Sequence, residues 1–472
     1  MKNNNKVSGD ARYCSALILR IMGFVWGAVG FCLMTGCESF IEVGLPASQL
    51  TATAVFEDKA TANAAMVDIY SKIRDNGLLT GSLSGLSSQL GLYADELTLY
   101  GGEVNFYNNA LLPSGSEVGE LWNSSYNSIY AANAVIAGVE KSTSLATADR
   151  DQLKGEALFV RALLHFYLMN CFGAIPYVRT TDYEQNRVVH RMPENEVLAL
   201  IKGDLEQAIA VLPEEYVSAE RVRPNKWTAE ALLARVNLYA EAWDEASNAA
   251  SAVLNQTGLY VLEADLDKVF LKESTTTIWQ LMPSIPGDNT KEAETFSFVS
   301  GPPPLSALSN TLMEAFSPDD QRKEHWTTAV TDGTDIWYHA SKYKAVANTG
   351  SSVEYSIVFR LAEQYLIRAE ARAHQGDLIG AKEDLNIIRH TAGLADTDAT
   401  TAAAIIDAVI AERRLELFTE FGHRFFDLKR TGRLDAVLSP LKAGWNSTDR
   451  NFPIPESELL LNPNLEPQND GY

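Results

Sequence analysis

Small residues recur at helix-pair spacing in two segments of this chain, and that recurrence constrains the fold more than any other feature. In 363–391, Ala369 is followed by Gly376, Ala381 and Leu385 at offsets that suit two antiparallel helices, and small side chains let such helices approach closely. Ala362, Leu366, Ala369 and Ala373 fall on one face of the first helix, a compact packing stripe. The segment 227–255 shares the layout, with Ala234 in its first helix and Ala246 in its second. That first helix is apolar nearly all round (Leu232, Leu233, Val236, Leu238, Tyr239), which predicts burial. Neither pair meets a full repeat consensus, and the loops between helices are too long for a regular solenoid.

Helical periodicity also runs through 56–74, 116–140, 148–171, 193–212, 228–242, 244–254, 360–375, 378–391 and 402–421. Thr228 suits an N-cap and Pro193 a first turn, while Gly376, Gly393 and Gly422 suit helix ends. Periodicity is lost in 77–116, rich in Gly, and in 274–354, rich in Pro, Gly, Ser and Thr, where short apolar runs such as Thr277-Ile278-Trp279-Gln280-Leu281 remain. The expected fold is mostly α: a tetratricopeptide-like helical-pair scaffold over 56–75, 116–256 and 359–430, with a loop-rich irregular half over 77–115 and 260–355. Long loops on a rigid scaffold are where binding function concentrates.

The N-terminus carries a different signal. Arg12 and Arg20 precede an uncharged apolar stretch that ends in Leu33-Met34-Thr35-Gly36-Cys37. A basic flank, a short apolar core and small residues before a cysteine predict a lipoprotein signal peptide over 1–36, cut before Cys37. The stretch is shorter than the roughly 20 residues a spanning helix needs. Acyl chains on Cys37 would anchor the remaining chain, 37–472, at a membrane surface. An uncleaved anchor helix is the alternative, and it also leaves the body outside the cytoplasm. Cys14 and Cys32 leave with the signal, so Cys171 is the one thiol left and no internal disulfide can form. Its apolar neighbours predict a buried, inert group.

A net charge of −22 argues against nucleic acid and against electrostatic docking to anionic lipid. The 7 histidines show no metal-ligand spacing, and no phosphate loop, nucleophile elbow or dinucleotide fingerprint is found. No metal or cofactor is expected. In the last long helix, Arg413 projects beside an apolar stripe of Ile406, Ile410, Leu417 and Phe421, with Glu416 and Glu420 nearby. A buried Arg must be paired, so this is read as a structural ion network continued by Arg424, Asp427 and Arg430, with a catalytic carboxylate pair as the alternative.

Aromatic residues in the loops are the binding candidates. Tyr100, Phe106 and Tyr107 cluster in one Gly- and Asn-rich loop, and Trp326, Trp337 and Tyr338 in the other. Flat rings suit the apolar face of a sugar or the side chains of a peptide; alternatively they plug the loops onto the scaffold. Trp122, Trp227 and Trp279 have apolar surroundings and are expected in the core.

Taken in order, several motifs resemble the SusD/RagB family of surface nutrient-binding lipoproteins over nearly the whole chain. Cys37-Glu38-Ser39-Phe40 is similar to the family's opening. Glu156-Ala157-Leu158-Phe159-Val160-Arg161-Ala162, leading to Phe172-Gly173-Ala174-Ile175-Pro176, is similar to its first strong motif. The run from Phe359 to Ala371, then Leu385-Asn386-Ile387-Ile388-Arg389, resembles the second. Glu412-Arg413-Arg414-Leu415-Glu416-Leu417 with Gly422-His423-Arg424-Phe425-Phe426-Asp427 resembles the third. Phe452-Pro453-Ile454-Pro455 and Gln468-Asn469-Asp470-Gly471-Tyr472 resemble the close. The resemblance implies a non-catalytic protein, lipid-anchored at the outer membrane of a Gram-negative cell and facing outward. It would capture oligosaccharide, or peptide as in the RagB branch, for a SusC-type TonB-dependent transporter. It also implies that the shared motifs are scaffold, and that ligand is held by an aromatic arc in variable loops. Tyr343 resembles a recurring structural element. A glycoside hydrolase and a helical-repeat adaptor for another protein are the remaining readings.

Overall fold

The structure, a computed structural model, describes residues 52–102 and 104–472. The expected signal segment 1–36 and Cys37 lie outside the described residues. Counting helices of eight residues or more, the described chain forms α1 (Lys59–Asp75), α2 (Leu86–Tyr93), α3 (Ser116–Lys141), α4 (Thr147–Phe172) and α5 (Glu194–Val211). Then come α6 (Lys226–Tyr239), α7 (Trp243–Leu254), α8 (Leu361–Gln375), α9 (Leu378–Thr391), α10 (Ala402–Glu416) and α11 (His423–Arg430). The strands are β1 (Leu97–Leu99), β2 (Thr277–Leu281), β3 (Ser306–Leu308), β4 (Thr327–Thr331), β5 (Ile336–Ala340) and β6 (Ser356–Arg360).

Successive helices pack side by side from α3 to α8, and α8 also carries α9 and α10. The small-residue stripes lie where the helices meet. Ala362, Leu366, Ala369 and Ala373 of α8 share a buried cluster with Ala381, Leu385 and Ile388 of α9 and with Ile405 and Val409 of α10. On the other side of α8, Ile367 and Ala371 meet Ala234, Leu238, Ala246, Ala249 and Ala250 of α6 and α7. Small side chains at these contacts bring the helix axes together. Gly376 ends α8 at φ +86°, a left-handed conformation that a side chain would disfavour. Residues 255–360 are thus spliced between two helices, α7 and α8, that pack directly on each other.

Helix α6 starts earlier than its sequence suggests. Asn225 is its N-cap and Thr228 is the third helical residue, each side chain bonding the other's backbone N–H in a capping box. The last long helix also differs, because α10 stops at Glu416 rather than at Phe421. Thr419 (φ 55°) and Phe421 (φ 44°) adopt the left-handed region there, turning the carbonyls of Glu416 and Phe418 toward the ammonium of Lys342. Gly422, expected at a helix end, is instead the N-cap of α11.

The loop-rich half contains α2, every residue of which is buried, so it shows no amphipathic period to read. It also contains β1 to β5, with β6 just beyond its end, and the described strands pair antiparallel as three two-stranded ribbons: β1 with β3, β2 with β6, and β4 with β5. The apolar run at Thr277–Leu281 is β2, fully buried against β6. Trp122, Trp227 and Trp279 lie in the core as expected. Cys171 is buried and free, and burial pushes its thiol up to about 12, which suppresses the reactive thiolate.

Candidate aromatic binding site

Two of the six loop aromatics come together. Tyr100 directly follows β1 and Trp337 lies on β5; β3 touches both strands. Their rings meet edge to face with centroids 6.4 Å apart and planes at 89°. Tyr100 is 46% exposed and Trp337 is half-buried. Gly301 packs so tightly on the Trp337 ring that an added Cβ would lie 2.0 Å from Cζ3. Backbone therefore backs the indole where a side chain would displace it. Val299 and Ile336, close in sequence to Gly301 and Trp337, are exposed. Two aromatic faces set at right angles, one held firmly and one open to solvent, form a platform for a flat apolar surface.

The other four candidates lie elsewhere, and two of them are core residues. Trp326 is 1% exposed; its indole Nε1–H donates to the Leu266 carbonyl at 3.0 Å, and the Lys342 ammonium sits 5.1 Å from its ring centre. A ring enclosed in this way cannot stack on a ligand, so the expectation for Trp326 is corrected to a structural role. Phe106 is 3% exposed and packs edge-on against Tyr93 and Phe452, so it too is no part of the platform. The Tyr107 ring is covered by the Lys442 ammonium at 3.9 Å from its centroid. Tyr338 neighbours Trp337 on β5, and adjacent strand residues point to opposite faces; Tyr338 accordingly packs toward the main core. Tyr343 is structural: its hydroxyl accepts the Ile357 N–H at 2.8 Å.

Charge clamps hold the platform strands, and sequence reasoning missed their key members. Asp95, just ahead of β1, accepts from Arg424 Nε at 2.7 Å and from Arg414 Nη2 at 2.8 Å. Burial works against its charge, but the two guanidiniums outweigh that and hold its carboxyl below the usual range. Ser309, just after β3, donates its hydroxyl to the Asp95 carbonyl at 2.6 Å. Beyond β5, Lys342 donates to the carbonyls of Glu416 and Phe418, each at 2.8 Å, and to Glu420 at 2.5 Å. Burial pushes this ammonium down to about 8 even with Glu420 beside it. Arg360 at the end of β6 bonds both Glu416 and Glu420, and Arg322 bonds Asp320 and Glu416.

The ion-network reading of α10 therefore holds, with a change of partners. Arg413 pairs with Asp427 at 2.7 Å, while Glu416 and Glu420 serve the loop half. Both carboxylates are saturated by cations, which keep them below the usual range although burial opposes it. No local signal singles out Asp95 or Lys342: Asp95 is followed by Glu96, and Lys342 lies between Ser341 and Tyr343 with Lys344 two positions on.

Comparison with known proteins agrees with this arrangement. A family model described as "Starch-binding associating with outer membrane" matches residues 95–238, and the SusD family model matches 321–472. SusD-like protein P25 of Formosa agariphila is 24% identical, the alignment spanning 92% of this chain and 96% of that protein. The structure superposes on a SusD superfamily protein from Bacteroides vulgatus with a TM-score of 0.76 at 21% identity, covering 88% of this chain and all of that one. A laminarin-binding SusD-like protein gives a TM-score of 0.73 at 23% identity, covering 88% of this chain and 99% of that one. The class is a helical-repeat scaffold bearing a loop-rich half, in a family associated with carbohydrate binding. The chain belongs to the SusD/RagB family. Among the described residues, no helix is long and apolar enough to cross a membrane.

Proposed function

We propose that this protein is a non-catalytic surface lipoprotein that captures oligosaccharide on the Tyr100–Trp337 platform and passes it to a SusC-type TonB-dependent transporter. The observation that carries the reading is the right-angled pair itself: an exposed Tyr100 ring and a half-buried Trp337 ring on segments clamped to the scaffold, suited to the apolar faces of successive sugars. The family's starch-binding description and the laminarin-binding relative support a glycan over a peptide. Acyl chains on Cys37 would tether the body beside its transporter. Modest affinity then suffices, because tethering raises the effective concentration at the pore.

Calorimetric titration with β-1,3-glucan and malto-oligosaccharides tests the site. One class should bind, and Trp337→Ala and Tyr100→Ala should each weaken it by about tenfold, the loss expected for one stacking ring. Unchanged affinity in both variants would move the site elsewhere; binding of peptides with no glycan binding would replace the ligand class. Cys37→Ala should leave binding by the soluble body intact and abolish uptake by cells.

A further inference from the structure

A cleft of about 450 Å³ lies on the helical scaffold, inside the range of about 300–1,000 Å³ usual for ligand pockets. It is built from the middle of α3, the loop 176–189 that follows α4, and the C-terminal stretch 458–465. None of its lining residues belongs to the Tyr100–Trp337 platform or to any strand.

Its frame is fixed before any ligand arrives. On the floor, the rings of Trp122 and Tyr126 lie 4.8 Å apart, and Trp122 packs edge-on against Phe172. The Tyr126 hydroxyl donates to the Pro176 carbonyl at 2.8 Å. Val178 is held through both backbone groups: its N–H donates to His165 Nε2 at 3.1 Å, and its carbonyl accepts from Asn133 Nδ2 at 3.0 Å. The C-terminal wall is tied to the loop by Asn462, whose Nδ2 donates to the Val189 carbonyl at 2.8 Å. A cleft made this way loses little freedom when it binds.

The side chains left free above this frame are of two kinds. Tyr130 is 51% exposed and Tyr183 is 73% exposed, and neither ring meets another aromatic among the described residues. Asn123 and Asn127 are also exposed and stand with Tyr130 at i, i+4 and i+7, on one face of α3. Among the described residues, the amides of both have no hydrogen-bond partner. Open rings beside free amides match the two surfaces of a pyranose. Its C–H face suits the rings, and its hydroxyls both donate and accept, as an amide does. Glu458 and Arg187 are the one acid and the one base in the lining, so charge selects neither an anion nor a cation. With no strand edge present, an extended peptide finds no ladder to join.

We infer that this cleft is a second carbohydrate site, on the helical scaffold rather than in the loop-rich half, for a short uncharged oligosaccharide. Tyr130 and Tyr183 take the sugar faces, and Asn123 and Asn127 take the hydroxyls. The inference rests on the glycan reading above and uses none of the platform residues.

Saturation-transfer NMR on a Tyr100→Ala/Trp337→Ala variant, which lacks the platform, tests it. The probes are neutral trisaccharides of β-1,3-, α-1,4- and β-1,4-linked glucose and of β-1,4-linked xylose. At least one should give a signal. Tyr183→Ala and Asn127→Ala, both at exposed positions, should each weaken that binding about tenfold while thermal unfolding stays cooperative. Silence from the whole panel, or a signal that neither change reduces, overturns the site. A signal from amphipathic helical peptides and from no saccharide assigns the cleft to a protein and overturns it as well. The platform is judged separately: with Tyr100 and Trp337 intact, Tyr183→Ala/Asn127→Ala should still bind oligosaccharide by calorimetry. Loss of all binding there, with the signal kept in Tyr100→Ala/Trp337→Ala, upholds the cleft and removes the platform reading.

Discussion

The helical stack and the platform strands are held by opposite kinds of interaction. Around α8, Ala369, Ala373 and Ala381 are wholly enclosed by apolar neighbours, and contact is a matter of shape. At β1, β5 and β6, Asp95, Lys342 and Arg360 reach charged or carbonyl partners in and after α10, and contact is a matter of pairing. Shape packing tolerates small adjustments along the helices. A buried ion pair does not, because losing one partner strands the other away from water. The difference shows how a loop-rich half with little periodic structure can still hold Tyr100 and Trp337 at a defined angle.

The largest effect should come from breaking the clamps. Glu416→Ala leaves Arg360 and Arg322 short of a partner, and urea unfolding should show a loss of about 3–5 kcal/mol. A loss below about 1 kcal/mol would mean the network adds little beyond what packing supplies. Trp326→Ala should cost a similar ~3–5 kcal/mol, as expected for a fully buried ring; soluble protein of wild-type stability would return Trp326 to the candidate site.

A smaller effect concerns pH. Glu96, within the β1 approach, is buried with Oε1 unpartnered, and burial together with Asp95 pushes its carboxyl up to about 7. A folded-state value above the unfolded 4.5 means the fold prefers the proton. The resulting stability is full below pH 4.5 and is lost as pH rises through about 7. Glu96→Gln should therefore flatten the fall in stability between about pH 5 and 8, a difference on the order of 1–3 kcal/mol. Glu292, raised to about 6, acts in the same direction in both proteins and cancels in that comparison. Identical pH profiles for variant and wild type would exclude Glu96 as the source.

The smallest stability effect should be that of Trp337→Ala, no more than about 1 kcal/mol, since the ring is half-exposed. Set beside Trp326→Ala, it separates a ring proposed to bind from a ring that holds. Equal destabilisation by the two changes would erase the distinction.

Much of the scaffold was legible because helices repeat on a period that sequence displays. The spacing of Ala369, Gly376, Ala381 and Leu385 was enough to place α8 against α9. Helix α2 was missed because it is buried on every face, and the end of α10 because its tail is turned by distant partners. At the candidate site, no local pattern distinguishes the buried Trp326 from the half-buried Trp337. One ends a short helix that points inward; the other lies on an edge exposed past Tyr100.

By itself, the sequence determined that this chain is a stack of closely approaching helices interrupted by long irregular segments. Helix period and small-residue spacing are local properties, written within a few turns of chain. Only the tertiary structure decided which rings stand together and which cations meet which carboxylates. Tyr100 with Trp337, and Asp95 with Arg414, are pairs brought together from distant parts of the chain. Their contact depends on three-dimensional packing, for which sequence carries no period.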